Sequence, residues 1–87
     1  MEQQPKRNPR QRTSFREVAA EVYPRVLREA NRAGLVTIGW SLGTPYGDKL
    51  YLRDGEDNLC KGWANTHDAK IGLEGMECAF RLLANTN

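Results

Sequence analysis

The sequence has few of the residues on which catalytic and metal sites most often depend. It contains two cysteines, Cys60 and Cys78, and a single histidine, His67. The cysteines form no CxxC pair and fall far short of the dense framework of small secreted domains. We therefore interpret both as small apolar core residues that stay reduced, with a disulfide between a strand and the following helix as the alternative.

The sequence also lacks a long apolar run. No stretch approaches the roughly 18 apolar residues that a membrane span needs, and residues 1–5 contain no apolar core of a secretory signal. We expect a soluble protein located in the cytoplasm. A chain of 87 residues is expected to form one compact domain with a modest core.

Motifs of catalysis, metal binding and phosphate binding are missing as well. His67 stands beside Asp68 and within sequence reach of Cys60, but no further base, orienting group or oxyanion hole accompanies them. Cys60, His67 and Cys78 could in principle be zinc ligands, but structural zinc sites normally have two closely spaced pairs of ligands, and these residues form no such pairs. Segment 43–48 matches neither the Walker A nor the dinucleotide-binding pattern. We therefore expect no enzymatic activity, no metal and no cofactor.

Charge is distributed unevenly along the chain. Residues 1–14 carry four Lys or Arg against one Glu, whereas residues 15–87 carry nine against ten Asp or Glu. Segment 1–13 has no aliphatic residue after the initiator Met1, so burial cannot offset its ordering entropy. We predict a disordered basic arm over residues 1–13 and a single α+β domain over residues 14–87.

The domain is predicted to begin with a helix. Ser14 and Glu17 have the spacing of a capping box, apolar residues then recur at intervals of three and four, and Gly34 fits the left-handed residue that closes a helix. Pro24 should kink this helix near Tyr23 or divide it into two.

Three strands are predicted next. Alternation over residues 35–42 predicts the first, a loop over residues 43–48 follows, and residues 49–53 form the second. Asp54-Gly55 then signals a tight hairpin that leads into a third strand over residues 58–64. The apolar residues assigned to one face of these strands are Val36, Ile38, Trp40, Leu42, Leu50, Leu52, Leu59 and Trp63.

The C-terminal region has the pattern of a second helix, capped by Asn65 or Thr66. It carries an apolar stripe and, beside it, a stripe of small residues, and both are expected to pack on the sheet. The apolar stripe comprises Ala69, Leu73, Met76, Phe80 and Leu83, and the small stripe comprises Gly72, Gly75 and Ala79.

The order α-β-β-β-α predicts an α+β fold, a three-stranded antiparallel sheet with two helices on one face. This order resembles that of double-stranded RNA-binding domains, over residues 15–84 and in topology only. Two segments correspond in position to parts of that family. Thr44-Pro45-Tyr46 corresponds to the loop where the family places a minor-groove contact, and His67-Asp68-Ala69-Lys70 corresponds to the start of its second helix. The family's paired lysines are absent from that helix start, so the resemblance implies no function here.

Basic side chains give the first functional hypothesis. The arm could neutralise phosphates, and three arginines of the first helix share one face. The alternative for the arm is that it only keeps the protein soluble. The alternative for the helix is a solvated face of salt bridges, because Glu17, Glu21 and Glu29 are interleaved with the arginines. The candidate nucleic-acid-binding residues are Lys6, Arg7, Arg10, Arg12, Arg25, Arg28 and Arg32.

The loops give a second hypothesis. Tyr46 on the loop after the first strand is an aromatic of the kind that often anchors recognition, and the hairpin tip is acidic at Asp54, Glu56 and Asp57. These four residues are the candidate protein-binding residues, although turn chemistry alone also selects Asp and Gly at a hairpin.

The two hypotheses are both non-enzymatic. The first is a small protein that binds a nucleic acid or nucleoprotein complex through its basic arm. The second is a protein–protein inhibitor or adaptor of the kind that phages and other mobile elements encode to occupy a host enzyme. In addition, Ile71, Cys78 and Leu82 give the second helix more apolar surface than the sheet needs, which suggests a homodimer.

Overall fold

The structure, a computed structural model, describes residues 13–47 and 49–86, except for the side chains of Pro45 and Tyr46. The predicted binding residues Lys6, Arg7, Arg10 and Arg12 and the Tyr46 side chain lie outside this described part, as does nearly all of the predicted arm. The predictions made for them stay predictions.

The predicted α+β fold is confirmed. A helical region precedes the strands and another follows them, and the three strands form one antiparallel sheet in the order β1-β2-β3. The elements are α1 (Phe15–Glu17), a π-helical turn (Val18–Val22), α2 (Tyr23–Arg32), β1 (Ser41–Tyr46), β2 (Lys49–Arg53), β3 (Leu59–Trp63) and α3 (Thr66–Asn85).

The start of the first helical region follows its sequence signals. The amide of Glu17 donates to the Ser14 hydroxyl at 3.0 Å, as the capping box predicts. The Glu17 carboxylate lies instead 3.2 Å from Nζ of Lys70 on α3, so it ties the two helical regions together. Pro24 lies in the first turn of α2, directly after the π-helical turn. The backbone stays helical at Val22 and Tyr23, so the predicted division into two separate helices is wrong, and a π-helical turn precedes the proline instead.

The end of α2 was also predicted correctly. Gly34 has a φ of +98°, in the left-handed region. Its amide donates to the carbonyl of Asn31 at 3.0 Å, and the amide of Leu35 donates to the carbonyl of Ala30 at 3.0 Å. This pair of bonds is a Schellman motif, which satisfies carbonyls at the helix end and turns the chain away.

The prediction of a strand over residues 35–42 is wrong for most of its length. The backbone turns at Thr37, whose carbonyl accepts from the amide of Trp40 at 3.0 Å, and Gly39 has a φ of +86°. Strand β1 begins only at Ser41 and runs to Tyr46, so the loop predicted over residues 43–48 is wrong for residues 43–46. The chain turns at Gly47, directly after β1, with a φ of +80°.

Strands β2 and β3 lie where they were predicted, with one correction. Leu52 pairs with Lys61, but Arg53 pairs with Leu59, so Cys60 is an extra residue in a β-bulge. The bulge interrupts the alternation that placed Leu59 on the same face as Trp63. Leu59 is exposed, whereas Trp63 is half-buried against the core.

The core lies between the helical regions and one face of the sheet. Its fully buried members are Val18, Val22, Val26, Leu50, Ala69 and Leu73, and its half-buried members are Phe15, Tyr23, Leu42, Trp63, Met76 and Phe80. Leu83 was predicted to join this stripe and is exposed instead. It lies in the last turn of α3.

The three residues of the small stripe of α3 lie in two different environments. A Cβ on Gly72 would lie 2.9 Å from Cε2 of Trp63, so Gly72 makes room for the indole ring on β3. This is the predicted packing on the sheet. A Cβ on Gly75 would meet no described heavy atom within 4 Å, and Ala79 is exposed, so packing on the sheet is wrong for these two residues.

Among the residues that the structure describes, no helix is long and apolar enough to cross a bilayer.

Candidate partner-binding surface

The cysteines and the histidine do not form a site. Cys60 and Cys78 are both exposed free thiols, so their assignment to the core was wrong. Cys60 is displaced by the bulge, and Cys78 lies on the outward face of α3. His67 is exposed in the first turn of α3. Within residues 13–47 and 49–86, no three His, Cys, Asp or Glu side chains are placed to hold a metal ion.

Two of the three helix arginines proposed to bind nucleic acid are held in ion pairs. Nε of Arg25 donates to Glu77 on α3 at 3.2 Å, and its Nη2 lies 3.6 Å from Glu74. Nη1 of Arg32 donates to Glu29 at 2.9 Å. Arg28 is exposed and has no ion pair within the described part of the chain.

Glu29 and Arg81 complete this network between α2 and α3. Glu29 is buried, and its second carboxylate oxygen lies 3.7 Å from Nε of Arg81. Arg81 also donates to Glu77 at 2.8 Å. Of the interleaved glutamates, only Glu29 pairs with one of the three helix arginines, Arg32, in the described part of the chain, whereas Arg25 pairs with glutamates of α3. The network joins two helices while its arginine side chains stay partly exposed.

In the acidic hairpin tip, Asp54 has a structural role. The Asp54 carboxylate accepts from the amides of Glu56 at 2.9 Å and Asn58 at 3.0 Å. These bonds, that of Asn58 foremost, lower the pKa of the Asp54 carboxyl below its usual value. Asp54 therefore holds the loop in shape, whatever else it contacts.

Asp57 and Glu56 are more open. Asp57 has a φ of +65°, and its carbonyl accepts from Nη1 of Arg53 at 3.2 Å. Glu56 is exposed and forms no ion pair with a described residue. The tip therefore presents carboxylates to solvent beside a well-defined loop.

Residues 35–40, which we call the connector, lie against this hairpin loop. A Cβ on Gly39 would stand 2.9 Å from Cα of Gly55, and a Cβ on Gly55 would collide with the carbonyl oxygen of Ile38. Thr37 adds a bond from its hydroxyl to Oδ1 of Asn31 at 3.0 Å. Close backbone packing and this bond fix the connector in place without regular secondary structure.

The connector carries the most exposed large apolar side chains of the described residues. Val36 is 76% exposed and Ile38 is 85% exposed. Together with half-buried Trp40 and exposed Cys60 they line a shallow groove whose edge is formed by the hairpin loop. The connector patch is defined as Val36, Ile38, Trp40 and Cys60, with Asp54, Gly55 and Glu56 at its edge.

This patch combines two features of a protein-binding surface. Burying a Val or Ile side chain completely contributes about 1.5–3 kcal/mol, and nothing described in the chain covers these two. Carboxylates at the edge add electrostatic preference for a basic partner group. Two of the four residues proposed to bind a protein, Asp54 and Glu56, lie here.

Sequence interpretation missed the apolar half of the surface because it assigned Val36, Ile38 and Trp40 to the buried face of a strand. One signal could have corrected this. Gly39 interrupts the alternation, and an isolated glycine in a strand pattern indicates a bulge or a close backbone approach.

Comparison with protein-family models, with curated proteins and with solved structures found no match for this chain. The topological resemblance to double-stranded RNA-binding domains is not accompanied by matching contacts. Thr44-Pro45-Tyr46 is part of β1 and not of a loop, and Lys70 pairs with Glu17. The geometry of the connector patch is therefore the basis for assigning a function.

Proposed function

We propose that this chain is a non-enzymatic protein that binds a partner protein through the connector patch, as a small inhibitor or adaptor. The observation that carries the proposal is that Val36 and Ile38 are both exposed and line one groove, on a backbone held by the contact of Gly39 with Gly55. Single exposed apolar residues are common and need no explanation. An exposed aliphatic pair on a fixed segment beside Trp40 is a typical docking surface.

The rigidity of the segment supports the proposal further. A flexible loop loses conformational entropy when it is ordered by a partner, which weakens binding. The connector is ordered by contacts with the hairpin loop and by the bond of Thr37 to Asn31. Its aliphatic side chains are therefore displayed in advance, and little ordering is needed on association.

The electrostatics of the described part also favour a protein partner over a nucleic acid. Phosphate binding needs free cationic side chains, and Arg25 and Arg32 are engaged with glutamates. The carboxylate edge at Asp54 and Glu56 would repel a phosphate backbone approaching the patch. A partner that offers an apolar pocket bordered by Lys or Arg fits both features.

Affinity capture with the tagged full chain from lysate of its source cells tests the proposal. A protein retained after nuclease treatment, and lost with Ile38→Asp, is the expected result. Arg28→Asp is the matched control, because it places the same charge on an exposed position outside the patch, and it should retain the partner. Equal capture by all three proteins would reject the connector patch as the binding surface.

The basic N-terminal segment supports a second candidate, binding of a nucleic acid or nucleoprotein complex. Its four Lys or Arg against one Glu in residues 1–14 are the observation in its favour. Filter binding with single- and double-stranded probes should then show affinity that falls with salt and is lost when residues 1–13 are deleted. Capture that disappears with nuclease would replace the first candidate with this one.

A further inference from the structure

Helix α3 has an apolar face that points away from the core. Ile71 is 57% exposed and Leu82 is 61% exposed, and Gly75 and Cys78 between them are exposed as well. Each of these residues follows a core-facing position by two, which is about 200° around an α-helix. We call this line of four residues the outward stripe.

We propose that the outward stripe binds the same stripe of a second copy of this chain, with the two α3 helices antiparallel. The order of residues along the stripe is self-complementary, with large side chains at both ends and small residues at the centre. In an antiparallel pair centred between Gly75 and Cys78, Ile71 faces Leu82 of the second copy. Gly75 then faces Cys78, and each contact occurs twice, as a two-fold interface requires.

Charges beside the stripe agree with this alignment. Glu74 and Arg81 lie on the same side of the stripe, seven residues apart. Each already has an ion pair within the chain, Glu74 with Arg25 and Arg81 with Glu29 and Glu77, but both side chains are about half exposed and can accept a second partner. Antiparallel pairing brings Glu74 of one copy next to Arg81 of the other, twice per dimer. Parallel pairing would place the two copies of Glu74 on opposite flanks of the interface, and likewise the two copies of Arg81, so it would form no such pair.

Gly75 adds a further reason. A helical glycine costs about 1 kcal/mol relative to alanine, and contacts within the described chain do not explain it, since a Cβ there would be unopposed. Opposite a second helix, the missing side chain lets the two backbones approach closely at the centre of the pair.

The interface is small. A single pair of helix faces of this length buries less than the roughly 1,200 Å² typical of stable complexes. We therefore expect a weak dimer that dissociates on dilution, and not an obligate one.

Sedimentation equilibrium of the full chain over a range of concentrations provides the test. The mass should rise from the monomer value of 9.9 kDa towards twice that value as concentration increases. Ile71→Lys alone and Leu82→Glu alone should each keep the chain monomeric. The double variant should associate more tightly than either single variant, although more weakly than the original chain, because the introduced lysine and glutamate face each other only in the antiparallel register.

Ile38→Glu is the matched control, since it adds a charge at an exposed aliphatic residue outside the stripe and should leave dimerisation unchanged. A monomer mass at every concentration would overturn the proposal. Dimers that survive both single substitutions would also overturn it, as would a double variant that associates no more tightly than either single variant while circular dichroism shows all variants folded. The control also separates this proposal from partner binding by the connector patch, because Ile38→Glu should abolish only the latter.

Discussion

Gly39 and Gly55 lie against each other where the connector passes the β2–β3 hairpin loop, so closely that a Cβ on Gly39 would stand 2.9 Å from Cα of Gly55. The contact joins two segments that have no regular pairing between them. It also sets the position of Ile38, whose carbonyl oxygen faces Gly55. The shape of the connector patch therefore depends on two residues without side chains.

Gly39→Ala should be more damaging than Gly34→Ala. Both glycines have positive φ, +86° and +98°, so alanine brings similar backbone strain of about 1–2 kcal/mol at each. Only at Gly39 does the new Cβ also meet a neighbouring backbone. We expect an additional loss of about 1–3 kcal/mol in the free energy of unfolding. Urea unfolding of the two variants measures the difference, and equal losses would contradict the close contact.

Gly72→Ala and Gly75→Ala should change stability in opposite directions. At Gly72 the new methyl group collides with the indole of Trp63, and we expect a loss of about 1–3 kcal/mol. At Gly75 the space is open, so the better helix propensity of alanine should raise the free energy of unfolding by about 1 kcal/mol. Thermal unfolding at a concentration where the chain is monomeric measures both. A stabilising Gly72→Ala would show that Trp63 is not packed as described.

Tyr23→Phe should stabilise the fold. The Tyr23 hydroxyl oxygen is buried and has no hydrogen-bond partner among the described residues. A buried polar group without a partner costs about 1–3 kcal/mol, so its removal should recover part of that amount, on the order of 1 kcal/mol. Chemical denaturation at neutral pH measures the gain, and a loss of stability would indicate an unrecognised partner.

The same hydroxyl predicts a pH dependence. Burial, and secondarily the Cys60 thiol, raise the pKa of Tyr23 above its usual value. The folded state therefore keeps this proton where the unfolded state releases it, so Tyr23 makes stability fall as pH rises above about 10. Tyr23→Phe should show a shallower decline between pH 9.5 and 11, taken as a range about the ordinary tyrosine pKa. Identical declines in the two proteins would exclude this source.

Asp57→Gly should also stabilise the chain. Asp57 has a φ of +65° in the hairpin loop, a conformation that costs a non-glycine residue about 1 kcal/mol. The bond from Arg53 goes to its backbone carbonyl and is kept, while the side-chain ion pair at 4.0 Å is exposed and weak. A higher melting temperature is expected for Asp57→Gly, and a lower one for the control Asp57→Ala. The reverse order would contradict the left-handed conformation.

The helices could be predicted because their ends carry local signals. Ser14, Gly34 and Asn65 each make the capping contact that their residue type and spacing indicate. Such contacts involve residues within a few positions of each other, so sequence alone contains the information. Strand β2 was placed correctly for a similar reason, because turn residues bound it on both sides.

The prediction of the first strand failed because a half-buried strand requires alternation of apolar and polar residues, but alternation does not by itself produce a strand. Val36, Ile38 and Trp40 alternate, yet β2 pairs with Ser41–Tyr46 instead. The bulge at Cys60 has the same origin, since pairing register is decided by distant residues. The candidate surface follows from these two failures, and the isolated Gly39 is the one local sequence signal that points to it.

The acidic residues at the edge of the connector patch could be predicted from the sequence, whereas the ion pairs of the helix arginines could not. Asp54 and Glu56 were selected because an acidic hairpin tip is visible in the sequence. The ion pairs of Arg25 and Arg32 depend on how α2 packs against α3, which the charge pattern within one helix does not determine.

The most direct test of the account is site-specific photo-cross-linking at position 38 in the source cells. The cross-linking residue would replace Ile38 in one variant and Arg28 in a second, and adducts would be analysed with and without nuclease. The account predicts a discrete, nuclease-resistant protein adduct at position 38 that is absent at position 28 and disappears when Val36→Asp is added. No adduct at position 38, or the same adduct at both positions, would contradict the claim that the connector patch binds a partner protein.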